Sequence, residues 1–103
     1  DYEVLPGITA HKVGGHTAGI QILSVNTAKG KAVLTADASH FYENIFEDRP
    51  YALVDHLYSM YLAFDKIQQI ADHKDLIVPG HDPQVMEKYP QVAGLEGLVV
   101  RIA

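Results

Sequence analysis

Three short apolar runs in this chain each end at a residue able to bind a metal ion: His16 in Gly-Gly-His-Thr-Ala-Gly, Asp37 in Leu-Thr-Ala-Asp-Ala-Ser, and His81 in Val-Pro-Gly-His-Asp. This constrains the fold, because strand ends are where a rigid sheet can aim separated side chains at one point. Two imidazoles and a carboxylate form a donor set suited to Zn²⁺ or a similar divalent ion. The six histidines, at 11, 16, 40, 56, 73 and 81, are never closer than five residues, so no compact His cluster completes the set.

The length of 103 residues fits one domain or part of one. The net charge of −5, with no cluster of Lys or Arg, argues against a nucleic-acid surface. With no cysteine, disulfides, thiolate metal sites and a Cys nucleophile are excluded. No apolar stretch reaches the roughly 18–20 residues of a membrane span, and the first residues lack a signal-peptide pattern. The expectation is a cytoplasmic protein with no membrane or nucleic-acid partner. The chain lacks a starting Met, so it is expected to begin inside a longer protein or after processing.

Residues 8–13, 20–27 and 32–36 read as strands, the last two joined by a Gly-containing turn at 28–31 and therefore antiparallel neighbours. Residues 38–50 read as irregular. Leu53, Leu57, Met60, Tyr61, Phe64, Ile67 and Ala71 recur at spacings of three and four, which predicts an amphipathic helix over about 52–71, with Pro50 near its first turn. Leu76, Ile77 and Val78 predict a short buried strand. A short helix with Pro83 at its first position follows, then a last strand at 98–102.

In order and surroundings, Gly-His-Thr-x-Gly, a strand ending in Asp, a long helix and Pro-Gly-His resemble the C-terminal half of the metallo-β-lactamase fold. Within that superfamily, Ala-Asp-Ala-Ser at 36–39 and Val-Pro-Gly-His-Asp-Pro at 78–83 look most like the N-acyl-homoserine lactonases. The resemblance covers nearly the whole chain. It implies an α/β fold, the C-terminal half of a four-layer αββα sandwich, mostly antiparallel with one long helix. Residues 1–103 are then the C-terminal part of a single domain. It also implies two zinc or similar divalent ions, with His16 on one, His81 on the other and Asp37 bridging. The His-x-His-x-Asp-His motif that such proteins need is not in this chain, so the remaining ligands are expected from a missing N-terminal half or a partner chain.

The function so implied is opening of the lactone ring of N-acyl-homoserine lactones by a metal-bound hydroxide, the quorum-quenching reaction. The isolated chain is expected to bind metal weakly and to be inactive. Several relatives carry a Tyr three residues after the bridging Asp. Here that position is His40, expected to donate a hydrogen bond to the substrate carbonyl or oxyanion. Phe41, Tyr42 and Phe46 are candidate substrate-binding residues, whereas Tyr51, Tyr58, Tyr61 and Phe64 read as core or pocket wall. Asp82 has two open roles: orienting His81 from behind, or capping the following helix. Competing readings are another hydrolysis on the same scaffold, of thioesters as in glyoxalase II-like enzymes or of phosphodiesters, and a non-catalytic isolated half-domain. The last would leave apolar surface exposed and favour a homodimer.

Overall fold

The computed structural model describes residues 1–103. Five strands, β1 (Tyr2–Leu5), β2 (Ile8–Lys12), β3 (Gln21–Thr27), β4 (Gly30–Leu34) and β5 (Ile77–Val78), form one sheet in sequence order. The first three pairings are antiparallel and β4–β5 is parallel. Three helices accompany the sheet: α1 (Tyr42–Phe46), α2 (Leu57–Ile70) and α3 (Gln84–Lys88). No helix is long and apolar enough to cross a membrane.

Strand alternation assigns the two faces of the sheet. Ile22 of β3, Val33 of β4 and Ile77 of β5 join Met60, Phe64 and Ile67 of α2, with Ala38 and Ile45, in the buried core. The three- and four-residue spacing in α2 produces this stripe, since it stacks those positions on one side of the helix. Val25, Ala32 and Leu34 point the other way, toward Val92, Val100 and Ile102 of the C-terminal stretch. His11 of β2 is buried against Ser24 of β3, with Nε2 and Oγ 2.8 Å apart. Burial first, and then nearby Lys66, hold its pKa below the ordinary imidazole value.

The structure corrects several sequence-based boundaries. Helix α2 starts at Leu57, five residues later than the periodicity predicts. The Gly15 carbonyl takes the amides of Asp55 and His56, and the His56 side chain accepts from the Ser59 amide as the cap. Those bonds hold 52–56 in a loop and leave Leu53 two-thirds exposed although it fits the spacing. The strand expected at 98–102 is reduced to one bridge between Gln91 and Val100. Turns bring the Leu95 and Leu98 amides back onto the carbonyls of Val92 and Leu95, so few backbone groups remain for a ladder. Within 38–50, the helix α1 replaces part of the expected irregular stretch, held by the Asn44 side chain between the Phe41 amide and the Arg49 carbonyl. Strand β1 has no counterpart in the sequence reading. It forms because Pro6-Gly7 closes a tight hairpin onto β2.

Candidate metal centre

The site lies where β4 and β5 end. The parallel pairing of these strands continues beyond them as cross-strand bonds: Thr35 N to Val78 O at 2.9 Å, Gly80 N to Ser39 O at 2.9 Å, and His81 N to His40 O at 2.9 Å. The loop bearing Asp37 and His40 is thereby fastened to the loop bearing His81. Thr35 and Ser39 are fully buried, and their hydroxyls donate within the loop, Thr35 to Ser39 O at 3.0 Å and Ser39 to Phe41 O at 3.0 Å. Ala36 has a positive φ of 46°, a conformation costly for a residue with a Cβ, and it turns the chain sharply just before Asp37.

Two glycines explain the Gly-His motifs. A Cβ at Gly15 would lie 2.6 Å from the Met60 Cα, and one at Gly80 would lie 2.4 Å from the Ala36 carbonyl oxygen. Only a residue without a side chain lets α2 approach the strand end before His16, and the Asp37 loop approach the strand end before His81.

His16, Asp37, His40 and His81 meet at this end. His81 Nε2 is 2.6 Å from Asp37 Oδ1, His40 Nε2 is 3.9 Å from that same oxygen, and His16 Nε2 is 3.7 Å from Asp37 Oδ2. The carboxylate therefore stands between imidazoles on either side. His16 Nδ1 donates to the Leu53 carbonyl at 2.8 Å, which fixes its tautomer and leaves the Nε2 lone pair facing the centre. The donor atoms of Asp37, His40 and His81 lie within 4.8 Å of one another. Imidazoles and a carboxylate converging in this way fit a divalent transition metal. Burial, followed by the neighbouring His81, holds the His40 pKa below the ordinary imidazole value and favours its neutral form.

Tyr51, expected as core or pocket wall, packs against the core and also reaches the site. Its ring stacks on His40 with centroids 3.7 Å apart and planes 12° off parallel, and its hydroxyl donates to the Asp37 backbone carbonyl. Burial, then the Asp37 charge, push its pKa up to about 12, so it stays a donor. An aromatic residue outside any periodic segment carries no signal that would have placed it here.

The remaining expected site residues are dispersed. The Phe41 ring flanks His40 at a centroid distance of 6.3 Å. Tyr42 and Phe46 instead stack on each other and line a cavity of about 650 Å³ with Lys74, Asp75 and Lys88, which shares no residue with the cluster. Asp82 accepts from the Tyr42 amide and the Gln84 amide, both at 2.9 Å, and so ties the start of α1 to the start of α3. A separate open groove of about 560 Å³ borders His16, lined by Thr17, Ala18, Ala52, Leu53, Val54 and Asp55.

This mixed sheet, with one long helix on it and an imidazole–carboxylate cluster at its end, is part of a metallo-β-lactamase-type fold. Its relatives are more particular. The chain is 37% identical over 87 residues to an N-acyl homoserine lactonase of a Bacillus species. It is 36% identical to that of Bacillus cereus, and each match covers 80% of this chain. It spans about a third of the length of these curated relatives, 33% in each case. No family model matches.

Among solved structures, the chain aligns with an N-acyl homoserine lactone hydrolase holding N-hexanoyl-L-homoserine at its catalytic metal centre. The TM-score is 0.76 at 28% identity, over 90% of this chain and 37% of that one. An AiiA variant of B. thuringiensis with N-decanoyl-L-homoserine at its active site gives the same values: TM-score 0.76, 28% identity, 90% and 37% coverage. The dizinc lactonase AidC, at 18% identity and a TM-score of 0.61 over 81% of this chain and 29% of that one, shares the fold.

Proposed function

We propose that this chain supplies part of the metal site of a hydrolase that opens the lactone ring of N-acyl homoserine lactones, the quorum-quenching reaction. The observation that carries the reading is the convergence of His16, Asp37 and His81 at one sheet end, in a chain similar to lactonases over most of its length. His16 would hold one ion and His81 a second, with Asp37 between them, since its two oxygens face different imidazoles. The donor set suits two zinc or similar divalent ions. Such ions, when bound, supply Lewis acidity at the substrate carbonyl and an activated water near neutral pH.

The chain's own part is to aim those donors and shape the surroundings. The Leu53 carbonyl holds His16 in its ligating tautomer, and the cross-strand bonds at 78–81 keep His81 against Asp37. The groove beside His16, with Ala52, Leu53 and Val54, offers apolar surface for an acyl chain. We place residues 1–103 in the C-terminal part of a single domain, with the other ligands coming from a segment or partner chain outside them.

The test is proton release on N-hexanoyl-homoserine lactone by protein expressed from its complete reading frame, alongside metal analysis. About two equivalents of transition metal per copy are expected, with turnover lost on chelation and restored on reloading. Chelator-insensitive turnover, or fully loaded protein that cleaves a thioester and leaves the lactone intact, would overturn the reading.

A further inference from the structure

The sequence predicts that His40 donates a hydrogen bond to substrate, and the structure sets its imidazole beside the Asp37 carboxylate. His40 Nε2 lies 3.9 Å from Asp37 Oδ1, the oxygen that also meets His81 Nε2. Tetrahedral zinc, with ligand bonds of about 2.0–2.2 Å, keeps its donors roughly 3.4 Å apart. The His40–Asp37 separation of 3.9 Å and the His81–Asp37 separation of 2.6 Å straddle that spacing, and all three donor atoms lie within 4.8 Å of one another.

The surroundings hold His40 for this task. Its side chain is only 15% exposed, its ring is stacked on Tyr51, and its backbone carbonyl accepts from the His81 amide. Tyr51 is also bonded to the Asp37 backbone, so one residue braces two of the three donors. His16 stands apart on the Oδ2 side, its ring centroid 5.7 Å from that of His40.

We propose that His40 is a metal ligand in this chain, and that Asp37, His40 and His81 form a three-donor pocket for one divalent transition-metal ion on the Oδ1 side of the carboxylate. The proposal rests on the reading of this site as a metal centre. It assigns to His40 a role different from contact with substrate, and it gives the chain's own residues most of one coordination shell.

Titration of the metal-free protein, expressed from its complete reading frame, with Co²⁺ tests this through the visible absorbance of the bound ion. His40→Gln keeps a side-chain N–H donor but removes the imidazole ligand. It is expected to weaken one Co²⁺ equivalent by at least about 100-fold, the upper end of what loss of a mere supporting partner costs, and to alter the band shape. His40→Cys is expected to bind the ion and add a thiolate-to-cobalt charge-transfer band, a signature that only direct ligation gives. An unchanged affinity and spectrum in His40→Gln would overturn the proposal, and a reduced lactone turnover beside it would point to substrate contact instead. So would a His40→Cys protein that binds Co²⁺ without the new band. Both readouts are free of substrate, so a protein that opens no lactone but passes them would refute the proposed reaction and keep the ligand assignment.

Discussion

Two stretches outside the long elements behave in opposite ways. Residues 35–41, after β4, have little regular structure, yet Thr35 and Ser39 are fully buried and the backbone is bonded across to residues 78–81. Residues 90–103 are also largely irregular, but their backbone bonds stay mainly within the stretch, and Leu98 is 77% exposed. The difference teaches that irregular backbone becomes a fixed platform when its polar groups find partners on another element and hydroxyls stand in for ladder bonds. Of the candidate metal ligands, Asp37 and His40 sit on the first stretch, His81 sits on the loop bonded to it, and none sits on the second.

The largest effect that would test this contrast is at the contact between the two metal-bearing loops. Gly80→Ala drives a Cβ into the Ala36 carbonyl. We expect a loss of about 3 kcal/mol, the upper range for overpacking, read as a lower urea midpoint and accompanied by weaker Co²⁺ binding. Wild-type stability in this variant would mean that the two loops are not held together. A smaller loss is expected for Thr35→Val, which keeps the shape but removes the hydroxyl bonded to Ser39 O. It should cost about 1–2 kcal/mol in the same unfolding measurement, and a neutral result would show that the hydroxyl does not fix the loop. The smallest effect belongs to the other stretch: Leu98→Ser should change stability by no more than about 0.5 kcal/mol. A cost as large as that of Gly80→Ala would erase the distinction between the two stretches.

Much of the fold was legible because it depends on local periodicity. The spacing of Met60, Phe64 and Ile67 marked the buried face of α2, and the β3–β4 hairpin followed from its turn. The start of α2 was not legible, since the Gly15 carbonyl that captures the amides of Asp55 and His56 is distant in sequence. The last strand failed for a related reason: β-branched residues at 99, 100 and 102 describe a preference, while pairing needs a free edge and a continuous partner. At the site, the motifs marked His16, Asp37 and His81, but Tyr51 and the Leu53 carbonyl have no sequence signature because their contacts are purely spatial.

By itself, then, the sequence determined the donor types, their order along the chain and the small residues beside them, for these follow from covalent identity and close backbone approach. The tertiary structure alone decided which imidazoles face which oxygen of Asp37, that His40 lies beside them, and that Tyr51 stacks on it. The physical reason is that ligand convergence is set by the pairing of β4 with β5 over a separation of more than forty residues, and no local pattern encodes where two distant strand ends will meet.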